Sequence, residues 1–415
     1  MTDVPIRVVA ASPTGESVGV ARHSAITVTF SEKLTADSVA DAFKLESLGY
    51  PDSSAAAQAV EFTAAYAETS VPTVTLTPKA PFAFSTIYRV TIATTLKRAR
   101  DNGPLPVVVT WKFQTADPPA LLVQRIEPAD GATGVAREAV VKVTFSEPVN
   151  CDTLKNGNAA LAETYDLHPH TSAGGPVKEV AGTWDCPVVD PAADETLDGL
   201  WCASDPTKCV VTFKPDDPKF LARFSSHLKL TLKGGKDADK PVASARATPF
   251  GGQLPTTVES GWRAIDPAAL SVSATAPGAS AGQVPRDATV TLNFSEPIDC
   301  ATLSADLVQL KQTYDLHPRL GAKAGTIEDV PGTWACTAAA PEEQAPGTCA
   351  TKPELCRAVF TPAAGFLFEW SSGITVTLAG GLYTPDVVPA KIASVESARA
   401  TTHDGQLHET IAISF

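Results

Sequence analysis

The chain has 415 residues, 33 basic against 46 acidic side chains, a formal net charge of −13 and a hydrophobic fraction of 44%. That is enough apolar material for ordinary globular cores. Phosphate-binding surfaces need concentrated Lys and Arg, and beyond Lys97-Arg98-Ala99-Arg100 no basic cluster exists, so no nucleic-acid partner is expected. No apolar run approaches the ~18 residues that read as a membrane span.

In chain order, the first clear element is a strand over Ala25 to Phe30 that ends in Phe30-Ser31-Glu32. The same ending recurs at Phe145-Ser146-Glu147 and Phe294-Ser295-Glu296, each time after alternating apolar residues such as Val141-Val143 and Val290-Leu292. The spacings of 115 and 149 residues are too long for a solenoid unit and right for a complete domain. Boundaries are expected at the proline junctions Asp117-Pro118-Pro119 and Asp266-Pro267, giving domains over 1–117, 118–267 and 268–415. Proline stiffens these junctions, so the array is expected to be elongated and semi-rigid.

After that strand, the second and third copies share Thr164-Tyr165-Asp166-Leu167-His168-Pro169 with Thr313-Tyr314-Asp315-Leu316-His317-Pro318, Gly182-Thr183-Trp184 with Gly332-Thr333-Trp334, and Ser244-Ala245-Arg246-Ala247-Thr248 with Ser397-Ala398-Arg399-Ala400-Thr401. The first copy is a leaner relative. Its Phe84 to Ile92 segment matches Phe224 to Leu232 and Trp370 to Leu378. Short alternating runs separated by Pro, Gly and Asp clusters mark strands throughout, with at most a helical turn after each Phe-Ser-Glu strand. The fold class is therefore all-β: three tandem immunoglobulin-like β-sandwich domains.

The cysteines lie in the second and third copies, four in each: Cys151, Cys186, Cys202 and Cys209, then Cys300, Cys336, Cys349 and Cys356. An even count without paired C-x2-4-C knuckles reads as two disulfides per domain rather than a zinc site. Strand order places all four at one pole. Three pairings per domain are open, with a lean to Cys186–Cys209 and Cys151–Cys202. Disulfides argue for export, and since Met1-Thr2-Asp3 is not followed by an apolar leader, an export signal is expected to have been removed or to lie outside this sequence.

Candidate sites are few. Glu32, Glu147 and Glu296, with Asp152 or Asp299 nearby, are calcium-ligand types, but no D-x-D-x-D-G loop exists, and they are read as solvated turn residues with no cofactor. Trp111, Trp262, Trp184, Trp334 and Trp370 are read as packing residues. Tyr165, His168, Trp201, Tyr314 and His317 are the candidate ligand contacts, a polar-aromatic mix suited to a glycan or protein. His168 and His317 are surface-loop rather than metal-ligand readings. No phosphate loop or framed carboxylate pair occurs, and no catalytic residue or enzyme activity is expected.

The recurring order of an opening such as Pro128-Ala129-Asp130-Gly131, a turn such as Val135-Ala136-Arg137, the Phe-Ser-Glu strand and a late Asp-x-Gly-x-Leu loop such as Asp404 to Leu407 resembles the bacterial Ig-like domains of S-layer proteins. The resemblance spans all three copies and implies a secreted or surface-attached spacer, stalk or adhesive subunit of a filament or layer, with self-association or a surface protein or glycan as partner. It transfers no catalytic residue. A carbohydrate- or protein-binding module, or the accessory region of a secreted hydrolase, is the alternative.

Overall fold

The structure, a computed structural model, describes residues 5–165, 177–189, 201–235, 240–314, 326–340, 347–381, 394–401 and 403–415. Strands form where apolar and polar residues alternate, because successive side chains leave a strand on opposite faces. In Ile26–Phe30 the side chains of Ile26, Val28 and Phe30 are buried while Thr27 and Thr29 are half-buried. Val290–Phe294 repeats that pattern with Val290, Leu292 and Phe294 inside.

The strands make two facing sheets in each of three successive units. In the first, one sheet runs Val8–Ser12, Ile26–Phe30, Thr73–Pro78, Phe62–Ala67, and the other Ser17–Val20, Val109–Thr115, Ile87–Ile92, Phe43–Ser47, Gln58–Ala59. Ser17–Val20 lies parallel to Val109–Thr115, and the remaining pairings are antiparallel. In the second unit the sheets run Val123–Glu127, Lys142–Phe145, Val210–Pro215, Gly182–Asp185 and Val177–Glu179, Ala159–Thr164, His227–Leu232, Val258–Arg263. The third repeats this with Val272–Ala276, Val290–Phe294, Arg357–Pro362, Gly332–Cys336 against Thr326–Asp329, Val308–Tyr314, Gly373–Leu378, Ile411–Ser414. These are three tandem Ig-like sandwiches.

Among the described residues every strand pairing stays within its unit, and each unit closes on its own core. Val28, Leu76 and Val90 anchor the first, Val143, Phe145 and Leu230 the second, and Leu292, Val376 and Leu378 the third. The Gly-Thr-Trp strands press hard on these cores: Trp184 meets Phe213 with ring centroids 5.3 Å apart, and Trp334 meets Phe360 at 5.3 Å. A Cβ on Gly182 would stand 2.4 Å from the Phe213 ring, which is why glycine precedes that Thr-Trp pair.

Four disulfides are present, and their pairing differs from the lean above. Cys151 joins Cys186 and Cys202 joins Cys209, repeated as Cys300–Cys336 and Cys349–Cys356. The cause is local. The short helix Trp201–Ser204 and the 3-10 turn Pro206–Cys209 bring residues seven apart in sequence to a Cα separation of 5.7 Å. That leaves Cys151, in the 3-10 turn Cys151–Leu154, facing Cys186 just past the Gly-Thr-Trp strand at 6.1 Å. The convergence on one pole does hold, since Cys202 Sγ also lies 3.1 Å from the Ser146 carbonyl oxygen.

Candidate functional site

The best-built polar arrangement is the joint between consecutive domains. On the donor side, Ala243–Thr248 turns back on Gly251–Gln253 as a short hairpin. It is held to the segment after the Phe-Ser-Glu strand: Ala245 N donates to the Pro148 carbonyl at 2.8 Å and Asn150 N to that of Ala243 at 2.8 Å. The third domain repeats both bonds, Ala398 N to Pro297 at 2.8 Å and Asp299 N to Glu396 at 2.9 Å.

This fold-back brings the recurring Glu and Arg together. Arg246 Nη2 donates to Glu147 Oε1 at 2.7 Å, with both side chains under a tenth exposed. Arg399 Nε donates to Glu296 Oε2 at 3.0 Å in an equally buried setting. Glu147 and Glu296 are therefore not solvated turn residues; a carboxylate this deeply buried needs its guanidinium partner. In the first domain the equivalent pair is looser and wetter, Arg100 Nε lying 3.6 Å from Glu32 with 51% and 25% of the side chains exposed.

On the acceptor side, the Val-x-Arg turn places a guanidinium over a ring. Arg22 lies 4.3 Å from the Phe84 centroid and Arg137 4.1 Å from that of Phe224. The next residues, Ser85 and Ser225, sit at φ of 51° and 54°, a left-handed conformation unusual for serine. Each donates its hydroxyl to the aspartate that opens the interdomain linker, Asp117 and Asp266, at 2.7 Å.

Docking completes both joints alike. Arg246 covers Phe84 at 5.3 Å and Arg399 covers Phe224 at 5.1 Å, so guanidinium groups of two successive domains lie against each ring. Thr248 Oγ1 lies 2.8 Å from Ser85 Oγ, and Thr401 Oγ1 lies 2.7 Å from Ser225 Oγ. Each serine has one proton and gives it to aspartate, so the threonine donates to the serine. Burial pushes the Arg137 and Arg399 guanidinium groups below their usual range, and for Arg399 the charge of Arg137 adds to the effect. Flanking contacts differ between joints: Tyr50 meets Phe250 edge-on at 6.0 Å, whereas Arg263 Nη1 meets His403 Nδ1 at 3.1 Å.

The third domain repeats the arginine, the ring position and the serine as Arg286, Trp370 and Ser371, but there Trp370 is 77% exposed with Arg286 4.6 Å from its ring. The expectation that Trp370 is a packing residue is thus corrected: its equivalents Phe84 and Phe224 are half-buried, each with an arginine of the following domain over the ring.

Of the candidate ligand residues, Tyr165 and Tyr314 lie among the described residues, and each contacts side chains of its own domain. Tyr165 lies half-buried beneath Arg223, whose guanidinium is 3.8 Å from its ring centroid. Tyr314 donates to Glu328 at 3.2 Å, and desolvation followed by that carboxylate pushes its phenol up. His168, His317 and the side chain of Trp201 lie outside the described residues. A cleft of about 660 Å³ opens in the second domain between Leu154, Ala160, Val180 and Trp184, and Cys151 lines it. Among the described residues no group of three or more His, Cys, Asp or Glu side chains is placed to hold a metal ion.

Sequence reasoning missed the joint, although its signal was there: the Ser-Ala-Arg-Ala-Thr segment and the Phe-Ser-Glu glutamate recur together in the second and third copies.

Comparison with known proteins gives the family. No curated protein matches the chain. Among solved structures, the copper resistance protein PcoC of Escherichia coli is 22% identical over 26% of this chain and 98% of its own, with a TM-score of 0.22. Domains 1-6 of the surface layer protein SbsC are 11% identical over 90% of this chain and 52% of that one, with a TM-score of 0.21. A three-Ig segment of titin is 6% identical over 99% and 96% of the two chains, with a TM-score of 0.23. The bacterial Ig-like domain profile matches residues 2–115, 117–184 and 266–336, and with more than half of its length so matched, the chain belongs to the bacterial Ig-like domain family.

Proposed function

We propose that the protein is a non-catalytic structural or adhesive component of the bacterial surface or exterior, in which Ig-like domains act as a spacer with fixed joints. The observation that carries this reading is that the two joints are built alike. Each covers an aromatic ring with an arginine of the next domain and adds a serine–threonine hydrogen bond beside the linker aspartate. Such contacts cost ordering entropy and are of use where the angle between neighbours matters, as in a stalk or a layer. Four disulfides support an oxidising compartment. No described helix is long and apolar enough to cross a membrane, so attachment would run through other segments or partners.

Protease shaving of intact cells, with non-reducing mass spectrometry of the released peptides, tests this. Release of peptides still linked Cys151–Cys186 and Cys349–Cys356 is the expected result. Protection in intact cells together with free thiols would overturn it.

A further inference from the structure

We propose that the exposed face formed by Arg286, Trp370 and Ser371 is a docking site for a further Ig-like domain, one carrying the Ser-Ala-Arg-Ala-Thr hairpin of the second and third domains. The face is the third copy of a socket that is occupied twice in this chain. In all three, the Val-x-Arg arginine donates Nε to the carbonyl two residues before the ring, Phe82, Ala222 or Phe368. The same guanidinium lies over the ring at 4.3, 4.1 and 4.6 Å. The following serine takes φ of 51°, 54° and 60°.

Ser85 and Ser225 are buried by the docked hairpin, whereas Ser371 holds the same left-handed backbone while exposed. The socket is therefore preformed, and docking would order little that is not already ordered. Trp370 replaces phenylalanine with the ring that binds cations best, and leaves an indole 77% exposed beside a positioned arginine.

The hairpin chemistry selects the occupant. Leu254 and Leu407 follow Arg246 and Arg399 by eight positions, whereas Leu105 follows Arg100 by five, so the first domain's hairpin is shorter. Its Asn102 also already accepts a hydrogen bond from Thr35 at 3.0 Å. A second copy of this chain, offering only that hairpin, fits the socket less well than a domain bearing Arg-Ala-Thr.

The test is a titration in solution, so its failure is distinct from a failure of the surface reading. The full chain with 15N-labelled tryptophan is titrated with the unlabelled segment 118–415 carrying Trp370→Ala. That segment consists of two domains with separate cores, and removing the first domain frees the hairpin at Arg246. The Trp370 indole signal is expected to shift saturably by about 1 mM, the concentration a short tether supplies. Adding Arg246→Lys and Thr248→Val to the titrant, which keeps a cation for Glu147, should weaken the shift roughly tenfold. No shift at that concentration, or one indifferent to the hairpin substitutions, overturns the proposal. So does an equal shift with unlabelled full chain carrying Trp370→Ala, which would assign the socket to a second copy.

Discussion

Glu147 and Arg246 meet 99 residues apart in sequence at 2.7 Å, and their pairing fastens the interdomain hairpin to the sandwich that presents it. Removing one partner of a buried pair leaves the other charge uncompensated. Glu147→Ala or Glu296→Ala should therefore cost about 3–5 kcal/mol. The equivalent Glu32 sits in an open pair, so Glu32→Ala should cost at most about 1 kcal/mol. Urea denaturation of the three variants checks the ranking; equal losses would refute it.

Thr248→Val should leave the cores intact while opening the first joint. The substitution keeps the shape and removes the donor to Ser85, worth about 1 kcal/mol. Small-angle scattering should show a wider spread of domain angles, and protease cleavage near Asp117 should accelerate, with the melting temperature almost unchanged. Thr401→Val should act the same way at Asp266.

The two kinds of disulfide differ in the loop they close. Cys151–Cys186 spans 35 residues and Cys202–Cys209 spans 7. On loop-closure entropy the first is worth about 4 kcal/mol and the second about 2 kcal/mol. Replacing both cysteines of each pair by serine, in separate variants, should reproduce that order in thermal unfolding.

Acid should weaken the first domain partly through Glu46. Hydrogen bonds from Lys44 and then Arg89 hold its carboxyl below the usual carboxylate range. Its folded value thus lies below the unfolded one. The stabilisation is fully present above that unfolded value and is lost as pH falls through the folded one. Glu46→Gln should be less stable than the parent at pH 7 and lose less between pH 5 and pH 3, followed by circular dichroism. Parallel acid curves would exclude the role of this carboxylate.

The sandwich architecture was legible because alternation such as Val290, Leu292, Phe294 reports a one-sided strand directly. Roles that depend on distant partners were not. Glu147 looked like a surface turn residue because its burial depends on an arginine 99 positions away. Trp370 looked like core by analogy with Phe84 and Phe224, but those rings are covered from the neighbouring domain, which the local pattern of Trp370 cannot report. The disulfides were placed at the right pole and paired wrongly, because the turn that folds Cys202 onto Cys209 has no periodic signal of its own.

Cys151 and Cys300 directly follow the short segments that bond the two docking hairpins. The covalent links therefore stand behind the hinges rather than in the centres of the sandwiches. A reductant should act as a softener before it acts as a denaturant: neighbouring domains would lose their fixed angles while each still kept its core. The bending stiffness of the chain thus becomes a property that its surroundings can set chemically.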